Sequence, residues 1–237
     1  MQLQVVILCG GYGTRMGTAG GRVPKPMLSV GDQPLLWHVM RCYADQGHRR
    51  FVLCTGYLGG VIDNWFAAHR PLDWEVRILD TGLDTSTGGR LLLARPALDE
   101  DRSFFFTYGD GVADVDLAAL YAHHRSESRL ATVTALRPTS RFGILDLSGG
   151  RVTRFREKPQ LDDYVSGGFF VFEPGAFDYM NASEPLENGA LGRLAEAGQL
   201  SAYRHEGFWL SVDTPRDLTE INRIHDHGGA PWLVASS

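Results

Sequence analysis

Two lysines are the conspicuous charges of this chain, because arginine supplies nearly every other positive group. Of 23 basic residues 21 are arginine; the lysines are Lys25, in Val-Pro-Lys-Pro-Met, and Lys158, in Arg-Glu-Lys-Pro-Gln. Lysine is a compact point charge on a flexible stem, whereas arginine is a wide planar fork. A crowded phosphate pocket suits the former. Lys25 also closes a segment fit to hold phosphates. Gly10-Gly11-Tyr12-Gly13-Thr14-Arg15 follows an apolar run at 3–9, and a long loop continues to Pro26. Glycines let the backbone come close and aim several N–H groups at an anion. Arg15 and Lys25 would neutralise a triphosphate. A dinucleotide fingerprint would need glycine at 16 and a helix opening there, where Met16 and TAGGRVPKP stand, and the Gly-Lys-Ser/Thr of a P-loop is absent. Alone, Gly-Gly-x-Gly also fits a plain turn; Pro-Lys-Pro-Met nine residues beyond Arg15 makes the pattern specific.

These groups need a frame. Residues 3–9 form a continuous apolar run, as in a strand buried on both faces. Residues 34–46 have helical spacing with Pro34 suited to a first turn, 51–55 is strand-like, 60–69 helical, 74–79 alternating, 103–108 a buried strand, 115–125 a helix capped by Asp114, and 130–136 a strand. The repeated β-α-β order predicts a mainly parallel sheet with helices on both faces. Ligands then bind beyond the carboxyl ends of the strands. That directs attention to the segments after Cys9, Cys54, Leu79 and Tyr108.

The second half is more antiparallel. Residues 144–158 suggest two short strands joined at Ser148-Gly149-Gly150, SGGFFVFEP ends a strand at Pro174, helices fill 175–181 and 190–198, AYRHE and FWLSV are short strands, and 215–227 is a last helix. The tail after Gly228 is expected to be loosely held. Without a linker-like boundary the chain is one domain, 1–237, with two lobes at 1–135 and 136–237.

Bulk properties narrow the partners. A net charge of −5 gives no basic field for nucleic acid or membrane. No stretch approaches the length of an apolar membrane span, and MQLQVVILCGG carries no basic leader. A cytoplasmic protein is the expectation. Cys9, Cys42 and Cys54 match no zinc pattern and suggest small buried hydrophobes in a reducing compartment.

The loop ending in Pro-Lys-Pro resembles the signature of the sugar 1-phosphate nucleotidyltransferase superfamily. DTGLDTSTGGRL (80–91), TYGDGVADVDL (107–117), EKP (157–159), GGFFVF (167–172) and GFW with VDTPRDL (207–218) resemble the glucose-1-phosphate cytidylyltransferases within it, over essentially the whole chain. The resemblance implies an α/β, Rossmann-like fold: a mixed, mainly parallel sheet flanked by helices, with a nucleotide-binding lobe at 1–135 and a smaller antiparallel sugar-binding lobe at 136–237. It implies a Mg2+-dependent displacement in which the phosphate of a sugar 1-phosphate attacks the α-phosphorus of CTP and pyrophosphate leaves, and it implies a homo-oligomer. Such chemistry needs alignment and charge neutralisation more than covalent help.

Carried over residue by residue, the resemblance makes Arg15, Lys25 and Asp110 catalytic, and Asp110 and Asp213 the metal carboxylates. It gives the nucleotide to Leu8, Gly10, Gly11, Gly13, Thr14, Arg15, Lys25, Thr87, Gly88, Gly89, Arg90 and Asp110. The acceptor goes to Tyr108, Gly109, Arg141, Gly143, Glu157, Lys158, Ser166, Gly167 and Gly168. Structural alternatives remain: Asp110 as a turn residue in Asp-Gly, and Asp213 as a helix cap before Pro215. Asp114-Val115-Asp116 is similar to a glycosyltransferase D-x-D, but both carboxylates fit the first turn of a helix. Arg90 is the candidate reader of the base, since cytosine presents O2 and N3 as adjacent acceptors. Departures from the subfamily pattern cluster in the acceptor half: Ser166 replaces Asn, Leu186-Glu187-Asn188-Gly189-Ala190-Leu191 replaces Trp-Glu-x-Glu-Pro-Leu, Leu210-Ser211-Val212 replaces Gln-Pro-Met, and Pro138-Thr139-Ser140 replaces Pro-Pro-Gly. About twenty family residues near 70–74 are missing. The acceptor is thus open between glucose and another hexose, heptose or polyol phosphate. The nucleotide is open to another NTP, and a nucleotide-sensing regulatory homologue is the non-enzyme alternative.

Overall fold

The computed structural model describes residues 2–13 and 23–233. Its first half runs β1 (Gln4–Leu8), a 3-10 turn (Lys25–Met27), a small hairpin of β2 (Ser29–Val30) and β3 (Gln33–Pro34), α1 (Leu35–Ala44), β4 (Arg50–Thr55), α2 (Gly59–His69), β5 (Glu75–Asp80), α3 (Thr87–Ala94), β6 (Phe104–Tyr108), β7 (Gly111–Ala113), α4 (Leu117–Glu127) and β8 (Ala131–Leu136). The second half adds β9 (Ile144–Ser148), β10 (Arg151–Arg156), β11 (Val165–Phe172), a 3-10 turn (Pro174–Tyr179), α5 (Ala190–Glu196), β12 (Leu200–Arg204), β13 (Trp209–Ser211) and α6 (Pro215–Asp226).

Seven strands form the central sheet in the order β12-β8-β11-β6-β1-β4-β5. All neighbours are parallel except β11, which runs against both β6 and β8. The apolar runs explain the position of the inner strands. In β1, Val5 and Ile7 face one core with α1, while Val6 and Leu8 face a second core with α3. Phe105 of β6 joins the first core, and Phe104 and Phe106 the second. A strand apolar on both faces can only sit between two layers. The mixed, mainly parallel sheet is therefore as the β-α-β order predicts, and β11 and β12 of the second half belong to the same sheet as β1. The separate antiparallel pairs are β9–β10, β13–β7 and β2–β3.

Four local readings change. The helix α3 was hidden from the sequence because it opens on Thr87-Gly88-Gly89. The cap of α4 is Asp116, whose carboxylate accepts from Ala119 N at 2.9 Å; Asp114 precedes the helix and pairs with His205 Nε2 at 3.1 Å. The segment expected as helix at 175–181 is the 3-10 turn. The described part of the tail, 229–233, is held to the body: Trp232 is 1% exposed and its Nε1–H donates to His38 Nδ1 at 3.1 Å. His38 in turn donates from Nε2 to Val30 O at 2.9 Å. Burial pushes the His38 pKa down to about 4, so the ring is neutral and can accept from the indole.

Candidate active site

The carboxyl ends of β1 and β6, the start of α3 and the turn before α6 enclose a cleft of about 460 Å³. That size suits a nucleotide-sized ligand. Leu8, Gly10, Gly11, Gly13, Lys25, Thr87, Arg90, Tyr108, Gly109, Asp110 and Asp213 all line it. Thr14 and Arg15 lie outside the described residues.

Three charged groups meet at one end. Lys25 Nζ donates to Asp110 Oδ2 at 2.8 Å and to Asp213 Oδ1 at 2.9 Å. Local structure brings them together. Pro24 and Pro26 hold Lys25 in a 3-10 turn. Asp110 follows β6 in a tight turn into β7, and Val212 N donates to Asp110 O at 2.9 Å, which brings the β13 end alongside. Asp213 is not the cap of α6. Thr214 is, in a reciprocal capping box with Asp217. Asp217 Oδ2 also accepts from Asp213 N at 3.1 Å, so the box orients the residue whose carboxylate meets Lys25. Two carboxylates converging on one ammonium can equally converge on a divalent cation. Among the described residues no group of three or more His, Cys, Asp or Glu gathers to hold a metal. Two carboxylates supplemented by phosphate oxygens and water are what Mg2+ usually takes.

Arg90 sits differently from the expectation. It is buried, and burial lowers its pKa from the usual arginine value. Nη1 donates to Thr55 O at 2.8 Å and Thr81 Oγ1 at 2.6 Å; Nη2 donates to Gly10 O and Leu83 O, both at 3.1 Å. A planar fork with its terminal donors spent on protein oxygens does not present a free edge to a base. It ties the glycine segment to the ends of β4 and β5. A Cβ on Gly10 would collide with this guanidinium, so glycine is required there for the clamp itself.

Gly88 and Gly89 do not line the cleft. A Cβ at Gly88 would stand 2.6 Å from Glu184 O, and one at Gly89 2.6 Å from Ala182 O. These glycines let α3 touch the backbone of 182–186. Side chains stitch the same seam. Ser86 caps α3 and donates to Ala182 O at 2.9 Å, and Thr87 Oγ1 donates to Glu187 Oε2 at 2.7 Å. Glu187 Oε1 accepts from Tyr108 OH as well. Burial first, and then Glu187, drives the Tyr108 pKa up, so the phenol remains a donor.

The remaining acceptor-side residues are outside the cleft lining. Glu157 and Lys158 are exposed and pair at 3.5 Å, and Lys158 has φ +44°. Their loop is held to the β8–β9 connection by Ser140 N to Pro159 O and Leu161 N to Pro138 O, both 2.9 Å. Arg141, in that connection, reaches Asp217 of α6 at 3.6 Å. The chain of contacts thus runs from Lys158's loop to the turn that holds Asp213. Gly143 allows the Phe155 ring to cross it, and Gly167 O accepts from Trp209 Nε1 at 2.7 Å. Gly168, at φ +78°, lies within a register shift of β11 and against the Tyr108 ring. Ser166 Oγ accepts from Gly168 N at 3.3 Å.

Sequence reasoning missed Tyr12, Asp84 and Glu187. Tyr12 and Asp84 line the cleft, and the Tyr12 hydroxyl donates to Asp84 Oδ1 at 2.6 Å. That bond raises the Tyr12 pKa and keeps its proton in place. Tyr12 offered one signal, an aromatic inside a glycine run. The partners, 72 positions apart, offered none.

A mixed sheet with a phosphate-suited cleft at its carboxyl edge defines a nucleotide-handling enzyme, and the comparisons name the class. The nucleotidyl transferase family model matches residues 4–227, and the chain belongs to that family. The glucose-1-phosphate cytidylyltransferase of Salmonella typhi is 39% identical over 253 residues, covering 97% of this chain and 98% of that protein. Among solved structures, HddC from Yersinia pseudotuberculosis has a TM-score of 0.73 at 21% identity, covering 94% of this chain and 99% of that one. A UDP-glucose pyrophosphorylase complexed with UDP-glucose has a TM-score of 0.74 at 15% identity, covering 96% and 99%. These two likenesses concern the fold.

Proposed function

We propose that the protein transfers the cytidylyl group of CTP to glucose 1-phosphate, releasing pyrophosphate. The observation that carries this is the meeting of Lys25, Asp110 and Asp213 at one end of a nucleotide-sized cleft. The 39% identity to a curated cytidylyltransferase over nearly the whole of both chains selects the substrates.

Two anionic substrates repel each other, so the chain must offset charge where they meet. In this reading Lys25 neutralises the α-phosphate as negative charge builds on its oxygens. One preorganised donor of this kind contributes about 3–4 kcal/mol to transition-state stabilisation. Gly10, Gly11 and Gly13 give backbone N–H groups to the phosphates, with Thr14 and Arg15 beyond them. Asp110 and Asp213 would hold Mg2+, which when bound supplies further charge neutralisation of the phosphates. Lys158 and Glu157 would take the acceptor's phosphate and hydroxyls, with Tyr108, Gly109, Arg141, Gly143, Ser166, Gly167 and Gly168 shaping that side. Displacement of pyrophosphate then needs alignment and no covalent intermediate.

The three cysteines are buried and free, which fits a reducing compartment, and we place the protein in the cytoplasm. Among the described residues no helix is long and apolar enough to cross a membrane. Phe142, Leu147, Val152 and Phe155 are each more than half exposed on and beside the β9–β10 hairpin. Such a patch is the contact we assign to a homo-oligomer. The test of function is pyrophosphate release from CTP and glucose 1-phosphate, with and without a chelator, beside UTP and other sugar 1-phosphates. Chelator-sensitive release with CTP and glucose 1-phosphate is expected. No release with that pair overturns the reading.

A further inference from the structure

The two ends of the cleft carry opposite invitations. One holds Lys25 between Asp110 and Asp213. The other is formed by Leu83, Asp84 and Thr85 facing Gly11 and Tyr12. Among the described residues the cation lining this second end is Arg90, whose terminal donors are spent on protein oxygens. A carboxylate without a free cation beside it opposes a phosphate. It is suited to a neutral base that presents a donor.

Asp84 is held at its carboxylate by Tyr12 and through the loop that carries it. Tyr12 OH donates to its Oδ1 at 2.6 Å, and the Tyr12 ring lies against Tyr57 with centroids 5.2 Å apart. Behind it, Leu83 O accepts from Arg90 Nη2, Gly82 N donates to Asp80 Oδ1 at 2.9 Å, and Thr85 Oγ1 donates to Thr81 O. The 80–85 loop is therefore braced at its root by Arg90 and at its tip by Tyr12. An ionised carboxylate only accepts hydrogen bonds. Cytosine carries an amine where uracil carries a carbonyl oxygen, and carboxylates pair with that amine while opposing the carbonyl.

We propose that Asp84 is a base-specificity determinant that accepts from the exocyclic amine of cytosine, with Tyr12 as the positioning residue that fixes its carboxylate. This rests on the CTP reading given above. Arg90 then acts on base choice through the loop it braces. Because Asp84 is exposed at the rim, solvent can replace part of its interaction, so the discrimination is modest.

The test is kcat/KM with CTP and with UTP, at saturating glucose 1-phosphate, for the wild type, Asp84→Ala, Asp84→Asn and Tyr12→Phe. The wild type should prefer CTP. Asp84→Ala should lower the CTP:UTP ratio about tenfold, mostly through a higher KM for CTP. Asp84→Asn, which keeps the shape and can turn a donor toward a carbonyl, should lower it further by gaining activity with UTP. Tyr12→Phe keeps the carboxylate and frees it, so the ratio should fall about threefold. Should Asp84→Ala not fold, the near-isosteric Asp84→Asn decides alone. Ratios within twofold of wild type in active, folded Asp84 variants overturn the proposal and leave the CTP reading standing. A wild type that does not turn over CTP overturns both.

Discussion

The residues we assign to the nucleotide and those we assign to the acceptor are built on different terms. On the nucleotide side, strand ends, glycines and a buried arginine lock one another: Arg90 joins Gly10, Thr55, Thr81 and Leu83, while Lys25 joins Asp110 and Asp213. On the acceptor side, Glu157 and Lys158 stand exposed on a loop tied to the 137–140 backbone by main-chain pairs and by Gln160 Nε2 to Arg137 O at 3.4 Å, and through Arg141 to Asp217. A phosphate-transfer site gains most from preorganisation where charge develops. A side that only binds the acceptor can be left looser. Altered chemistry at these locked groups of the first side should therefore cost catalysis or folding, and on the second side affinity alone.

The sharpest break is at Lys25. Lys25→Met should lower kcat about 10²–10³-fold while leaving the protein folded, checked by steady-state pyrophosphate release and by thermal melting. A change confined to KM would mean that Lys25 binds without stabilising the transition state. Next is Arg90→Met, which leaves the carbonyls of Gly10, Thr55 and Leu83 without this donor. Removing it should cost about 3 kcal/mol, or a fall in Tm of roughly 6–12 °C for a chain this size. An unchanged Tm with an altered CTP:UTP ratio would restore Arg90 as a direct reader of the base.

A buried group away from the cleft sets a baseline for folding effects. His38 has its pKa pushed down to about 4, mainly by burial. The unfolded chain, with histidine near 6.5, binds the proton first. The stabilisation is therefore complete above about pH 6.5 and is lost as pH falls toward about 4, by up to about 3 kcal/mol. His48 and His124 are shifted in the same direction by burial and add to the trend. Urea unfolding at stepped pH should show the loss, and His38→Asn should flatten it. The smallest effect belongs to the acceptor side. Lys158→Met should raise the KM for glucose 1-phosphate about tenfold, equivalent to about 1.4 kcal/mol, with Tm within a degree of wild type. A large drop in kcat instead would give Lys158 a share in the transition state.

The legible parts of the molecule were those whose signal lies in one stretch of chain. β1 and β6 announce themselves by unbroken apolar runs, and the segments that follow them place Gly10 and Asp110 in the cleft lining. Lys25 stood out by composition. What the sequence hid was long-range and carried by backbone. The partners of Arg90 are mostly carbonyls, which leave no mark in residue type. Helix α3 was masked by the glycines that start it. The resemblance gave the glycines at 88 and 89 to the nucleotide, and the close approach they allow is to the 182–186 backbone. Glu187 bridges Thr87 and Tyr108, 100 and 79 positions away, and nothing local to it foretells either partner.

The seam between α3 and 182–186 also bears on redesign. At Gly88 and Gly89 the helix touches the neighbouring loop backbone to backbone, with carbonyls where a Cβ would stand. At those two positions the helix offers no side chain to trim or enlarge. Loop grafts that widen the sugar repertoire through 182–191 will therefore push directly on the helix that carries Thr87 and Arg90. Libraries aimed at new sugars should be screened for nucleotide affinity from the first round, and the two selectivities are best evolved as one unit.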